Sequence, residues 1–371
     1  CLVGSEMCIR DSQYTDQTVA ANSVIVVCGD KSKVVSNSDM WETSTNYQTY
    51  QTQTTGFDGE GQITSAITYV TSENNPKVYW VTGHGEASES DLSTNFSDAI
   101  NKNNVEISDL ALMTDDIPED AEELVIMSPT TDFSEDEANK VITYLENGGK
   151  LLMFTSYTGT DMPNLDSILE NYGVKRSSGI VVETDSQHYY PQMPYYLLPN
   201  IQSDDITTEV KSNYILMPVA QAIQKLDSYR DTITIKSLLT TTEDAYIEND
   251  PENSTWSKSA DSETGAFDLG VSITETVDDK ETQIIYFSSA SMLSSQIDQA
   301  ISGANSKLAA TALTSMCDVE QTVVIPSKST SYTNLVFTQG AVNTWSIITI
   351  AGIPLVLVVI GVMIWMKRRK Q

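Results

Sequence analysis

Positive charge is scarce in this chain. Its 371 residues carry 21 Lys and Arg against 51 Asp and Glu, a formal charge of −30. Four of those positives stand together as Lys367, Arg368, Arg369 and Lys370, and the other 17 against 51 leave −34 on everything before them. Nucleic-acid phosphates are bound by clustered Lys and Arg, so no nucleic acid is expected as a partner. The same surface repels anionic lipid headgroups. Its plain role is to keep a large domain solvated.

Histidine and cysteine are also sparse, with two and four residues, and no CxxC occurs, so no zinc-ligand spacing exists and no metal is expected. A P-loop lysine motif and GxGxxG are both absent, which excludes binding of ATP or NAD by those routes; no cofactor is implied. GxSxG is absent too. No cysteine follows a candidate α/β strand, since Cys28 precedes that region and Cys317 comes after it. These two could pair in an oxidising compartment, but two buried free thiols are the expected state. No basic or apolar leader opens the chain. Residues 1–12, CLVGSEMCIRDS, have no helix or strand period and resemble translated sequencing-adapter read-through. They are set aside, and the chain is read as an N-terminal fragment.

What is present begins with a long apolar run. Residues 329–366 carry no charge, and Trp345 to Met366 forms a 22-residue stretch, WSIITIAGIPLVLVVIGVMIWM. As a helix it spans about 33 Å against a hydrocarbon core of about 30 Å. Trp345 and Trp365 are placed to form an aromatic belt at each interface. Pro354 is tolerable inside such a span. Lys367 to Lys370 follow at once, and the positive-inside rule puts them in the cytoplasm and residues 13–344 outside.

Length allows two globular units before the span. Ser23 to Cys28 reads as a short buried strand with a hairpin partner at Lys33 to Ser36. The polar stretch Asp39 to Thr55 reads as loop. Glu60 to Val70 has helical spacing. From residue 76 to 185 the rhythm is α/β. Val78–Val81, Leu124–Met127 and Lys150–Phe154 read as strands. Helices are expected around Leu92–Ile100, from Ser134 to Gly148, and over Leu165–Tyr172. Ser134-Glu135-Asp136-Glu137 fits a capping box, and its acids suit the helix dipole better than a metal. This alternation predicts a mostly parallel sheet with helices on both faces. Residues 186–328 read as a β-rich α+β region, with strands at Ile215–Val219, Ile233–Leu239, Phe267–Thr274 and Ile284–Ser288 and a helix at Ala304–Met316. Residues 329–344 are juxtamembrane, 345–366 the span, and 367–371 a cytoplasmic tail.

Gly83-His84-Gly85-Glu86 follows a strand directly, where open α/β sheets bind ligands. The glycines allow close backbone approach, and His84 and Glu86 form a possible acid–base or hydrogen-bonding pair. Ser128-Pro129-Thr130-Thr131-Asp132 and Thr155-Ser156-Tyr157 leave the same sheet edge. The binding candidates are therefore Gly83, His84, Gly85, Glu86, Thr130, Asp132 and Ser156. A tight turn with a structural histidine, a binding pocket and a catalytic site all remain open. Gln187 to Pro199, QHYYPQMPYYLLP, holds four tyrosines and three prolines, which suits a partner or sugar contact or packing on its own domain.

The order of these features resembles the GldG-type auxiliary subunits of ABC transporters, a family first named for gliding motility. The matching stretches are Phe57–Val70, Val78–Glu86 (VYWVTGHGE), Ile117-Pro118 with Leu124–Pro129, Asp132–Phe154, and the C-terminal helix with its basic tail. The resemblance implies a class I glutamine amidotransferase-like α/β fold lacking that fold's catalytic cysteine. It implies an extracytoplasmic, non-catalytic subunit beside a permease and a separate ATPase. Family members usually also carry an N-terminal membrane helix. The alternatives are a membrane-anchored surface sugar- or peptide-binding protein, and an amidotransferase-like hydrolase using His84 and Glu86.

Overall fold

The computed structural model describes residues 14–16, 18–46, 51–72, 75–252, 255–317, 328–329 and 337–369. The set-aside residues 1–12 and the tail residue Lys370 lie outside them. Three pieces follow one another: an N-terminal module, a body built on one large sheet, and a long C-terminal helix.

In the N-terminal module, β1 (Val24–Cys28) and β2 (Lys31–Val35) form the expected antiparallel hairpin. It is not buried as predicted: Val24 and Val27 are exposed, and so is Cys28, which corrects the expectation of two buried thiols. A two-stranded ribbon has only one face to cover, and α1 (Gly59–Thr71) covers it. The predicted loop Asp39–Thr55 is instead β3 (Trp41–Asn46) paired with β4 (Gln51–Phe57). A Thr-rich polar segment pairs well through its backbone yet shows no apolar alternation. The module is tied to the body by Lys102 to Asp58 at 2.8 Å and by Asn104, whose side chain bonds the hydroxyl and the carbonyl of Ser65.

The body contains the predicted α/β order. Strands β5 (Lys77–Val81), β6 (Glu106–Leu110), β7 (Glu123–Met127) and β8 (Lys150–Phe154) lie parallel in the order β6-β5-β7-β8. Their helices are α2 (Thr94–Lys102), α3 (Glu135–Glu146) and α4 (Pro163–Asn171). Beyond β8 the sheet does not stop. Six strands follow β8 in sequence: β9 (Val174–Val182), the short β10 (Tyr189–Tyr190), β11 (Met193–Leu197), β12 (Asn200–Ile201), β13 (Met217–Pro218) and β14 (Gln221–Lys225), of which β10, β11 and β13 form a small sheet of their own. After them come β15 (Ile233–Thr240), β16 (Tyr246–Glu248), β17 (Asp268–Val277) and β18 (Lys280–Phe287). β18 lies parallel against β8, with Ile285 opposite Leu152. β17 then pairs antiparallel with β18 and β15. β16, β9 and β14 extend the same sheet. The sheet is therefore mixed rather than mostly parallel, and the β-rich stretch shares it with the α/β stretch. Ile215–Val219 yields only the two-residue β13, because this segment packs mainly as buried loop.

Helices cover both faces, as the alternation predicted. Successive side chains of a strand point to opposite faces. Val125, Met127, Leu152, Phe154, Ile285 and Phe287 face α2 and α6 (Ala304–Met316), the helix that follows the single-turn α5 (Ser295–Ala300). Leu124, Ile126, Leu151, Met153, Ile284 and Tyr286 face α3 and α4. α3 starts at a capping box in which Ser134 Oγ accepts the Glu137 amide.

The C-terminal helix α7 runs Gln339–Arg369, 31 residues, so it begins before the predicted Trp345. Its apolar window is wholly unburied, and among the described residues it is the helix long and apolar enough to cross a membrane. Ile348–Gly352 forms a π-turn, in which the Ile353 amide reaches back to the Ile348 carbonyl. Pro354 explains it: the ring has no N–H for the Ile350 carbonyl and would press against it, and a widened turn relieves both. Thr338 caps the helix by accepting the Ala341 amide at 3.1 Å. A short strand, β19 (Lys328–Ser329), pairs with β4 ahead of it.

Candidate functional site

The Gly83–Glu86 loop leaves the carboxyl end of β5 and closes on itself. Gly83 and Gly85 have φ of +125° and +77°, conformations that side chains rarely adopt. Glu86 Oε2 accepts the His84 amide at 2.7 Å, so the loop is braced by its own carboxylate. The Ala87 amide donates to the Met127 carbonyl at 2.9 Å, and the Trp80 indole donates to the Ala87 carbonyl at 2.9 Å. The loop is thus fastened to the ends of β5 and β7.

The loops predicted to converge do so. The His84 carbonyl accepts the amides of Thr130 and Thr131 at 2.9 and 3.0 Å, and both hydroxyls at 3.2 Å. A Cβ at residue 85 would collide with the Thr130 hydroxyl. Ser128 Oγ donates to Ser156 Oγ at 2.8 Å, joining the ends of β7 and β8. Ser128 itself has φ of +55°, strain in a non-glycine residue at a strand end.

The His84 ring is 5% exposed and lies between two carboxylates. Nε2 is 3.2 Å from Glu137 Oε2, and Nδ1 is 3.4 Å from Glu86 Oε1. One face rests on Phe133, with ring centroids 4.3 Å apart. Glu137 Oε2 also receives the Ser134 amide and hydroxyl at 2.9 and 2.7 Å. Burial pushes the Glu137 carboxyl up, but the Ser134 hydroxyl and amide together with His84 outweigh it and hold the group below the usual carboxylate range. One residue therefore serves two purposes, capping α3 and holding the histidine. The capping role was legible from Ser134 three positions earlier. The histidine contact was not, because it spans 53 residues.

The other candidates separate. Thr130 belongs to the bracket around His84. Asp132 turns away to α4: its carboxylate accepts the Asn164 and Leu165 amides at 3.1 and 3.0 Å and the Asn164 side chain at 3.0 Å. It satisfies first-turn amides that Met162, with no side-chain cap, leaves open. Ser156 meets Ser128, and its neighbour Thr155 bonds the Tyr286 hydroxyl at 2.8 Å. Burial pushes the Tyr286 phenol up to about 12. Among the described residues no group of three His, Cys, Asp or Glu side chains is arranged to hold a metal. At the opposite end of β7, Glu123 is fully buried and accepts the Cys317 thiol at 3.3 Å. Burial raises its carboxyl well above the usual range.

Comparison with known proteins places this architecture. The family described as ABC-type uncharacterized transport system, auxiliary component, matches residues 75–315. That stretch is well over half of the chain, and the chain belongs to this family: it is an auxiliary component of an ABC-type transport system. No curated relative matches. Among solved structures, the mmIFT52 N-terminal domain aligns at 15% identity and TM-score 0.47, covering 65% of this chain and 96% of that one. A ThuA-like protein from Parabacteroides merdae aligns at 13% identity and TM-score 0.35, covering 72% and 99%. The exo-beta-1,4-mannosidase Op5Man5 from an Opitutaceae bacterium aligns at 10% and 0.33, covering 68% of this chain and 37% of that one.

Proposed function

We propose that the protein is a non-catalytic, extracytoplasmic auxiliary subunit of GldG type, anchored by α7 beside a permease and a separate ATPase, where it binds substrate or modulates the permease. The basic residues Lys367, Arg368 and Arg369 at the end of α7 support a cytoplasmic C-terminus and a body outside. The observation that carries the reading is the state of His84. A general base needs a nitrogen free to meet its substrate. Here Nε2 is hydrogen-bonded to Glu137, and Nδ1 is buried 3.4 Å from Glu86 Oε1 with no hydrogen-bond partner among the described residues. Six hydrogen bonds to the His84 backbone and from Ala87 close the loop around the ring. Ser128 and Ser156, the nearby hydroxyls, bond one another rather than a histidine. This arrangement suits a rigid strand-to-helix turn and gives little support to a hydrolase using His84 and Glu86. The missing amidotransferase-type cysteine points the same way. Purification of the tagged full chain from native membranes is expected to recover a multi-spanning permease and an ATPase. Recovery of neither overturns the reading, and binding of glycans by the body alone would favour the surface-receptor alternative.

A further inference from the structure

The hairpin β10–β11 lies in an uncharged segment. No Asp, Glu, Lys or Arg occurs from Ser186 to Gln202, in a chain that is 19% charged and strongly acidic elsewhere. The hairpin turns at Pro191-Gln192, where Gln192 has φ of +66°. This uncharged turn is where α7 is attached. The Gly340 amide donates to the Ser186 carbonyl at 2.6 Å. The Thr338 hydroxyl donates to Gln187 Oε1 at 3.1 Å, and the Gln192 amide donates to Gln339 Oε1 at 2.9 Å. The first turn of the helix is thereby fixed to the hairpin, while its apolar length projects away unburied.

Depth follows from the helix. Gln339 precedes Trp345 by six residues, about 9 Å at 1.5 Å per residue. Trp345 marks the hydrocarbon boundary, and the polar layer outside it is about 5–8 Å thick. That places the hairpin turn at the outer edge of the headgroup layer, within reach of its exposed Met193. Its side chains suit that layer. Tyr190 and Tyr196 pack on the body's core, while Met193 is 37% exposed, Tyr189 is half-buried, and Tyr195 lies against Trp256 with ring centroids 4.4 Å apart. Tyrosine and tryptophan favour the interface because one end is apolar and the other polar. An acidic surface would be repelled from anionic lipid, whereas contact through an uncharged segment costs no charge repulsion.

We propose that the β10–β11 hairpin meets the outer edge of the headgroup layer as a second membrane contact, which with α7 sets how the body stands on the bilayer. The inference depends on α7 crossing a membrane and not on the transporter assignment. Its test uses the full chain with Cys1, Cys8 and Cys28 changed to Ser, leaving the buried Cys317, and a spin label on Met193→Cys in phosphatidylcholine nanodiscs. A label on Met113→Cys, 70% exposed on the connection between β6 and β7, is the aqueous reference. The expected result is at least a fivefold lower collision rate with a water-soluble nickel chelate at 193 than at 113, and strong relaxation at 193 alone when the nickel is carried on lipid headgroups. Equal chelate access at both sites, with no effect of headgroup nickel, overturns the proposal. Protection of 193 seen only in native membranes also overturns it, by assigning the hairpin to a protein partner.

Discussion

His84→Ala tests whether the Gly83–Glu86 loop is a structural lock. The ring lies between Glu86 and Glu137, whose side chains are 2% and 4% exposed. Removing it leaves two buried carboxylates facing one another across a cavity. Taking a hydrogen-bond partner away from a buried polar group costs about 1–3 kcal/mol. Lost packing on Phe133 adds to this, whereas water entering the gap subtracts, so about 3 kcal/mol is expected. His84→Gln, whose amide can donate to one carboxylate, recovers about half. Adding Glu137→Gln to His84→Ala removes one of the opposed charges. The pair is then less damaging than the sum of its parts, by at least about 1 kcal/mol. The pH dependence has a definite sign. The Glu137 carboxyl sits below its ordinary 4.5. A depressed carboxyl contributes stability above the unfolded value and loses it as pH falls through the folded value. His84 is one source of that depression, so the deficit of His84→Ala is full at neutral pH and narrows below about pH 4. Denaturant unfolding of the full chain, with Trp41, Trp256, Trp345 and Trp365 replaced by Phe so that Trp80 alone fluoresces, reports it locally, because that buried indole is hydrogen-bonded to Ala87. A stability change within about 0.5 kcal/mol, the range of ordinary surface substitutions, would refute the reasoning, and loss of transport at unchanged stability would restore His84 as a site residue.

Three further outcomes follow from the same structure. Glu123→Gln removes a buried carboxyl whose folded value is raised, chiefly by burial with only partial relief from the Cys317 thiol. Such a group contributes its stability below 4.5 and loses it as pH rises toward the folded value, so the variant gains on the wild type from pH 5 to 9 in denaturant titrations; parallel curves would contradict this. Asp132→Ala frees the Asn164 and Leu165 amides at the start of α4 and is expected to cost about 1–2 kcal/mol, with faster hydrogen exchange confined to that turn. Unchanged exchange there would show that the carboxylate does not cap the helix. Gly85→Ala combines a positive φ with a collision on Thr130 and should cost about 1–3 kcal/mol in the same unfolding assay; a neutral effect would mean that the loop is loose.

The α/β half was legible because its signals are local. Leu124–Met127 and Lys150–Phe154 are continuous apolar runs, as strands buried on both faces must be, and all but Lys150 are fully buried. Ser134 and Glu137 announce the start of α3 within four residues, and Gly148 ends it. The β-rich half was less legible. β9 begins with Val174-Lys175-Arg176-Ser177-Ser178, which alternates poorly because Arg176 is held inside by Asp166 and Gln221. That partner set depends on the finished fold. Nor does any local pattern say that β18, more than 120 residues after β8, lies parallel beside it. The mixed order comes from β17, which pairs antiparallel with β18, and from the antiparallel strands beyond it.

The candidate site shows the same division at the scale of side chains. Sequence placed His84, Glu86, Thr130 and Ser156 at one sheet edge, because each follows a parallel strand, and the loops do meet there. It did not separate Asp132 from them, since the amides that Asp132 satisfies belong to α4, some 30 residues on. It also did not pair His84 with Glu137, whose acidic neighbours suggested only a helix dipole. The hairpin is the sharper case. Its tyrosines and prolines were visible, and so was its lack of charge, yet both fit a packed loop equally well. What distinguishes the readings is Gly340 against Ser186 and Gln339 against Gln192, contacts across about 150 residues. With them, the charge-free window coincides with the attachment point of the one apolar helix among the described residues. Tyr190 and Tyr196 do pack on the core, so the membrane contact rests on the exposed remainder: an uncharged turn, with Met193 outward, held to the first turn of that helix.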